Sequence, residues 1–184
     1  MINNQIKTQI ATLDDIDSFL ELQAKYLVTN LTQEQKKDGF VTTPFTIEQL
    51  HEIIKNEGLF VAKIEEKVIG YAFAGSWEYF SQWKIIEEMG KMLPITFENQ
   101  EVTMENSFQY GPICIDLAFR GSGLINLLFD FMKSNMVKKF PISVTFINKI
   151  NERSKKAHVD KLGWKIVNEF QFNGNDYYYL MLKM

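Results

Sequence analysis

Residues Ile113 to Phe131 read Ile-Cys-Ile-Asp-Leu-Ala-Phe-Arg-Gly-Ser-Gly-Leu-Ile-Asn-Leu-Leu-Phe-Asp-Phe. A buried strand runs into Arg120-Gly-Ser-Gly123, and a helix follows directly, with Leu124, Leu127, Leu128, Phe131 and Met132 as one apolar stripe. A strand, a glycine turn and a helix in immediate succession confine the chain to folds in which sheet and helix alternate. The turn also suits an anion. Free N–H groups at a helix N-terminus, with the helix dipole behind them, make a phosphate cradle. Glycine lets that backbone approach a ligand closely, and Arg120 adds charge. An ordinary strand-to-helix turn that uses glycine for tightness accounts for the same residues. No Gly-Lys-Ser/Thr follows, so the turn is not a P-loop. Asn126 stands where a dinucleotide fingerprint has its third glycine.

The rest of the pattern is mixed α/β. Gln5–Ile10 reads as a strand. Thr12 reads as an N-cap with Asp14 and Asp15 in the first turn, followed by Ile16, Phe19, Leu20 and Leu27 at helical spacing. Residues Gln33–Pro44 read as a loop. Thr46-Ile-Glu-Gln49 fits a capping box for a second helix that stops near Gly58. Leu59–Ile64 and Val68–Ala74 form a hairpin around Glu65-Glu66-Lys67. Tyr79–Leu93 reads as a helix closed by Pro94, and Ser107–Leu117 as a buried strand. Gly121–Val137 is helical, Ile142–Ile147 a strand, and Asn151–Leu162 a helix with Gly163 at its C-cap. Trp164–Phe172 and Tyr177–Leu182 close the chain around the hairpin signal Asn173-Gly-Asn-Asp176.

The 184 residues suffice for one domain with its own core, and 46% are hydrophobic, which argues against disorder. No linker or repeat interrupts them, so residues 1–184 read as one domain. The net charge of −3 lacks the basic excess of a nucleic-acid binder. A single cysteine, Cys114, permits no internal disulfide, and its neighbours Ile113 and Ile115 make it a buried strand thiol ahead of a catalytic one. Met1–Ile6 is polar and without a signal-peptide core, and the richest apolar stretch, Leu124–Met132, falls well short of the roughly 20 residues that span a bilayer. A cytoplasmic protein without membrane or nucleic-acid partners is the expectation, and no metal-ligand spacing occurs.

Arg120-Gly-Ser-Gly-Leu-Ile125 resembles the R/Q-x-x-G-x-G/A signature of the GCN5-related N-acetyltransferases. Gly70-Tyr-Ala-Phe-Ala74 resembles that family's third strand, and Asn151, Ala157 and Lys161-Leu-Gly-Trp164 resemble its closing segment, so the likeness runs over nearly the whole chain. It implies a mixed, mostly antiparallel sheet flanked by helices, with splayed central strands, and acetyl-CoA as cosubstrate. It implies an N-acetyltransferase, with direct transfer to the primary amine of a small molecule. A non-catalytic acyl-CoA sensor or interaction domain is the alternative. By resemblance Ile115 and Leu117 pair with the pantetheine arm, Arg120, Gly121, Ser122, Gly123, Leu124 and Ile125 hold the pyrophosphate, and Asn151 bonds the arm. Lys155 and Lys156 face the phosphates or form a solvated helix face.

Four positions depart from the family pattern. Ile125 replaces a small residue, Leu117 a frequent proline, and Tyr110 a glutamate that serves some members as base. The family's tyrosine acid falls on Val159 when counted back from Gly163 and on His158 when counted forward from Asn151. The segment reads as one residue longer than usual. His158 is therefore either a proton donor or a helix-face histidine, and Tyr110 a base or a core residue. His51 reads as surface. The dense aromatics Tyr71, Phe73, Trp77, Tyr79, Phe80 and Trp83 suit the core and an aromatic-walled acceptor site, with Glu78 or Asp116 as amine anchor. Residues 78–107 form a long insertion between the third and fourth strands of the sequence pattern, suited to a lid or a homodimer contact.

Overall fold

The computed structural model describes residues 5–184. In chain order they form β1 (Ile6–Ile10), α1 (Ile16–Tyr26), α2 (Gln33–Lys36), α3 (Ile47–Lys55), β2 (Leu59–Ile64), β3 (Lys67–Gly75), α4 (Trp77–Phe80), α5 (Lys84–Gly90), β4 (Ile95–Phe97) and β5 (Gln100–Val102). There follow β6 (Ser107–Ile115), α6 (Leu124–Met136), β7 (Ile142–Asn148), α7 (Glu152–Lys156), β8 (Lys165–Phe172) and β9 (Asn175–Lys183). Seven strands make one sheet in the order β1-β2-β3-β6-β7-β9-β8, and β4 and β5 pair separately. The pairs β1–β2, β2–β3, β7–β9 and β8–β9 are antiparallel, and β6 joins β7 in parallel from Ser107↔Ile142 to Gln109↔Val144. This is the mixed, mostly antiparallel sheet expected from the sequence. Two compact units divide the chain. One holds the residues up to Ala74 with Gly111–Ser134, the other Gly75–Tyr110 with Asn135–Met184, so β6 is shared.

In the first unit β2 and β3 are buried almost throughout because helices cover both faces. On one face Phe19 of α1 meets Tyr71 and Phe73 at 4.5 and 5.6 Å, and Phe45 stacks on Phe73 at 3.9 Å. Side chains alternate along a strand, so Phe60, which pairs with Ala72 and not Phe73, lies on the other face and meets Phe131 of α6 at 6.0 Å. Gly70 leaves room for β6, since a Cβ there would stand 2.7 Å from Ile115 Cδ1 and 3.3 Å from Cys114 O. The α6 stripe is buried at Leu124, Leu128 and Met132, joined by Phe129 and Met136. Leu127 and Phe131 are only partly covered.

Capping set the helix starts. Thr46 and Gln49 exchange the two bonds of the expected capping box, at 2.9 and 3.3 Å. Thr12 caps a single 3₁₀ turn, Leu13–Asp15, before α1, and its N–H gives 2.8 Å to the Asp15 carboxylate. A second capping box, Thr32 with Gln35, starts α2 inside the segment expected as loop. One turn of helix is too short to leave a periodic apolar signal.

In the second unit residues 78–107 depart from the single helix expected over Tyr79–Leu93. Two short helices, α4 and α5, are followed by the β4–β5 hairpin, whose turn residues Glu98 and Asn99 have φ of 49° and 62°. Neither is glycine, which hid the turn in the sequence. Trp77 donates its indole N–H to the Ser107 hydroxyl at 3.0 Å, and that hydroxyl donates to the Thr103 carbonyl. Trp77, Tyr79, Phe80, Ile86, Met89, Phe97 and Val102 are buried, so this segment carries core of its own. Of the aromatics expected in the core or around an acceptor, Trp77, Tyr79 and Phe80 are packed here, while Trp83 is partly exposed. Tyr71 and Phe73 lie in the first unit's core, and Glu78 is exposed. The β8–β9 turn uses Asn173 and Gly174 at φ of 46° and 73°, as their sequence signals.

Lys63 of β2 and Asp15 form an ion pair at 2.6 Å in which both side chains are almost wholly buried. Burial raises the Asp15 carboxyl, but Lys63 and the Thr12 N–H outweigh it and hold it below its ordinary value. Lys63→Met should strand that carboxylate and cost about 3–5 kcal/mol of stability, measured by urea denaturation. Asp15→Asn combined with Lys63→Met should recover part of the loss.

Candidate functional site

Two groups of residues carry the chemistry that the sequence suggests, one in each unit. In the first unit β6 ends at Ile115, and Asp116 caps a 3₁₀ turn over Leu117–Phe119 with a bond from the Ala118 N–H at 3.0 Å. Asp116 is 7% exposed. Its carboxylate takes Lys25 Nζ at 2.8 Å and the Tyr26 hydroxyl at 3.4 Å. Burial raises its pKa, yet Lys25, the Ala118 N–H and Tyr26 outweigh burial and lower it, so it is ionised. The Asp116 N–H gives 2.9 Å to Ile69 O of β3. Asp116 is therefore a buried structural anion in this arrangement, with its charge met by Lys25.

The turn itself is shaped by two glycines at positive φ, Gly121 at 82° and Gly123 at 91°. A Cβ on Gly121 would meet nothing within 4 Å, so the turn opens onto free space. Arg120 and Ser122 spend their N–H groups on Leu117 O and Phe119 O, and Asn126 and Leu127 theirs on Gly123 O. Among the described residues the N–H groups of Gly123, Leu124 and Ile125 have no acceptor. These are the orphan donors of a helix start, here at the head of a 13-residue helix. The donor set and the open space fit a phosphate or pyrophosphate. Ile125 is partly exposed beside them.

The Arg120 side chain is engaged within the protein. Nε gives 2.7 Å to Ile115 O, Nη1 donates to Asp38 O, and the guanidinium lies 4.7 Å from the Tyr26 ring centre. The Leu117 N–H gives 2.6 Å to the Tyr26 hydroxyl, while the Leu117 side chain is exposed. Cys114 is buried, as expected, and burial pushes its thiol up to about 12, away from a reactive thiolate.

In the second unit Asn151 is the N-cap of α7, where Oδ1 accepts the Ser154 N–H at 3.1 Å. The helix then widens into one π turn over Ala157–Lys161, closed by the Trp164 N–H on His158 O at 3.0 Å. A π turn absorbs one inserted residue. This turn lies in the segment whose sequence register reads as ambiguous. His158 is 4% exposed. Its Nδ1 lies 2.8 Å from Ser154 O, which only accepts, so Nδ1 carries the hydrogen and Nε2 the lone pair. Burial lowers the imidazole to about 4 against a smaller raising effect of the Ser154 carbonyl, so it is neutral at pH 7. Tyr110 stacks on Trp164 at 5.1 Å and meets His158 edge-on at 5.6 Å. Burial holds the Tyr110 phenol well above its ordinary value. Thr145 donates to the Tyr110 carbonyl at 2.7 Å.

The structure thus gathers Ile115, Leu117, Arg120 and Gly121–Ile125 around one turn, and His158 with Tyr110 in one buried ring cluster. Asn151 opens the helix that carries His158. Lys155 is drawn to Tyr178, 3.3 Å from its hydroxyl and 4.9 Å from its ring centre. Lys156 and His51 are both exposed, the latter as expected. Sequence reasoning missed Tyr26, Lys25 and Ser154, and placed Trp164 only in the closing segment. Tyr26 is separated from Asp116 by 90 positions, and nothing in its local pattern marks it. Among the described residues no cluster of His, Cys, Asp and Glu could hold a metal ion, and no helix is long and apolar enough to cross a membrane.

No protein-family model matches the chain, and no curated protein matches it in sequence. Solved structures do match in fold. Ard1 from Thermoplasma volcanium superposes with a TM-score of 0.66 at 12% identity, covering 98% of each chain. Ribosomal-protein-alanine N-acetyltransferase from Brucella melitensis gives 0.63 at 17% identity, covering 97% of this chain and 99% of its own. The yncA protein of Salmonella typhimurium, solved with its cofactor acetyl-CoA, gives 0.64 at 14% identity over 98% of this chain and 94% of its own. The chain has the GCN5-related acetyltransferase fold.

The buried neutral imidazole makes a checkable pH effect. His158 titrates near 4 when folded and near 6.5 when unfolded. Between those values the unfolded chain binds the extra proton, so stability falls as pH falls. From pH 7 to pH 5 the wild type should lose about 2 kcal/mol through this group. His158→Gln should lack that part of the slope, read from urea transitions at both pH values.

Proposed function

We propose that this chain is an acetyl-CoA-dependent N-acetyltransferase, working as one acetyltransferase domain that passes the acetyl group directly to the primary amine of a small molecule. The observation that carries the reading is the turn at Gly121–Ile125. Three N–H donors without an acceptor head a long helix, beneath open space at Gly121, on a fold shared with a protein solved with acetyl-CoA. A pyrophosphate is the anion that such a cradle suits.

In direct transfer the amine lone pair attacks the thioester carbonyl carbon. The C–N bond forms, the C–S bond breaks, and the thiolate leaves with its electron pair. The amine loses one proton and the thiolate gains one. A backbone N–H suffices to stabilise the oxyanion. The two side chains nominated for the proton steps are both neutral at pH 7: His158 keeps a lone pair at Nε2, and Tyr110 keeps its phenolic proton. A thiol of ordinary pKa, about 8.5 for cysteine, makes a leaving group that solvent can protonate. Comparing His158→Ala with Tyr110→Phe on turnover separates these roles.

The same observation favours a second reading, an acyl-CoA sensor or interaction domain without transfer, since neither side chain is poised near neutral pH. Release of free CoA thiol from acetyl-CoA, followed over a broad panel of primary amines, decides. Release with any amine supports the transferase, and none with intact acetyl-CoA binding supports the sensor.

Acetyl-CoA at a hundredfold over a micromolar Kd should stabilise the protein by about 2.7 kcal/mol and raise Tm by roughly 5–10 °C. Gly121→Asn tolerates the positive φ better than other substitutions and puts a side chain into the open space. It should fold and lose the shift. A wild type whose Tm does not respond would contradict the reading.

A further inference from the structure

We infer that Arg120 and Tyr26 are positioning residues for the Gly121–Ile125 donors, and that the Arg120 guanidinium is not the partner of the bound phosphates. This rests on the reading of that turn as a phosphate site. The motif alone suggests the opposite, because a cation beside a phosphate cradle is an obvious ligand.

The geometry assigns the guanidinium other work. Arg120 folds back over the turn it begins. Its Nε takes the carbonyl of Ile115, the last residue of β6, and its Nη1 takes the carbonyl of Asp38, just beyond α2. Its guanidinium carbon stands over the Tyr26 ring, 4.7 Å from the ring centre. The Tyr26 hydroxyl, reached from the end of α1, then takes the Leu117 N–H at 2.6 Å and leans on Asp116 at 3.4 Å.

The backbone leaving the sheet is therefore held at four successive residues. Ile115 C=O is held by Arg120, Asp116 N–H by Ile69 O, Leu117 N–H by Tyr26, and Ala118 N–H by the Asp116 carboxylate. The N–H groups of Gly123, Leu124 and Ile125 follow within a few residues, so their direction is set by this hold. Two of the groups held, Ile115 C=O and Leu117 N–H, are backbone groups that the family resemblance would give to the pantetheine arm.

Lysine cannot reproduce this arrangement. Its single ammonium lacks the planar fork that reaches two carbonyls while stacking on a ring. A phosphate partner, by contrast, needs mainly the charge. The test is calorimetric titration of acetyl-CoA into wild type, Arg120→Lys, Arg120→Gln and Tyr26→Phe, with amide hydrogen exchange on the same proteins without ligand. Arg120→Lys and Arg120→Gln should weaken binding alike, by about tenfold or more. Tyr26→Phe, which changes no charge and keeps the ring, should weaken it in the same direction and speed exchange at the Leu117 amide. Arg120→Lys within about twofold of wild type, with Arg120→Gln well below it, would overturn the inference and make Arg120 a phosphate ligand. If the wild type itself binds no acetyl-CoA, the function proposed above fails, and the inference is judged by exchange alone. Faster exchange at Leu117 and the Gly121–Leu127 amides in Arg120→Lys upholds it, and unchanged exchange refutes it.

Discussion

Where β6 leaves the sheet, a buried carboxylate fixes everything that follows. Asp116 is ionised in a nearly closed site, and an ion so placed must be paired and hydrogen-bonded to be tolerated. Lys25, Tyr26 and the Ala118 N–H meet that demand, all on the first unit. Their positions tie α1 to the end of β6. The direction in which the chain enters α6 is then no longer free, and Gly121 and Gly123 take up the positive φ that the entry requires. The chemistry proposed for the turn depends on this local hold, because N–H donors serve an anion only if they converge.

The second unit has its own constraint, the π turn at Ala157–Lys161. It rotates His158 into a closed cluster with Tyr110 and Trp164, and the Ser154 carbonyl fixes the tautomer. Desolvation then removes the charge that would make the imidazole a proton donor at neutral pH. The π turn and the burial of His158 thus go together with the neutral state of its ring.

Much of the fold was legible because its signals are local. The Thr46–Gln49 capping box, the Asn173-Gly174 turn and the Arg120-Gly-Ser-Gly123 turn each depend on a few adjacent residues, and each stands where the sequence puts it. The hairpin of β4 and β5 was hidden because its strands have three residues each and its turn lacks glycine. The aromatic segment showed its rings as core, but the density of rings does not say which face each one covers. The residues that steer the candidate site, Lys25 and Tyr26, were illegible for a different reason. Their partners lie 91 and 90 positions away, and only the packed sheet brings them together.

The most direct measurement is an NMR titration of labelled protein with acetyl-CoA, read at the backbone amides. Saturable shifts largest at Gly123, Leu124 and Ile125 are the predicted result. Shifts that bypass those three amides, or none at all up to millimolar acetyl-CoA, would contradict the assignment of this turn as the phosphate cradle.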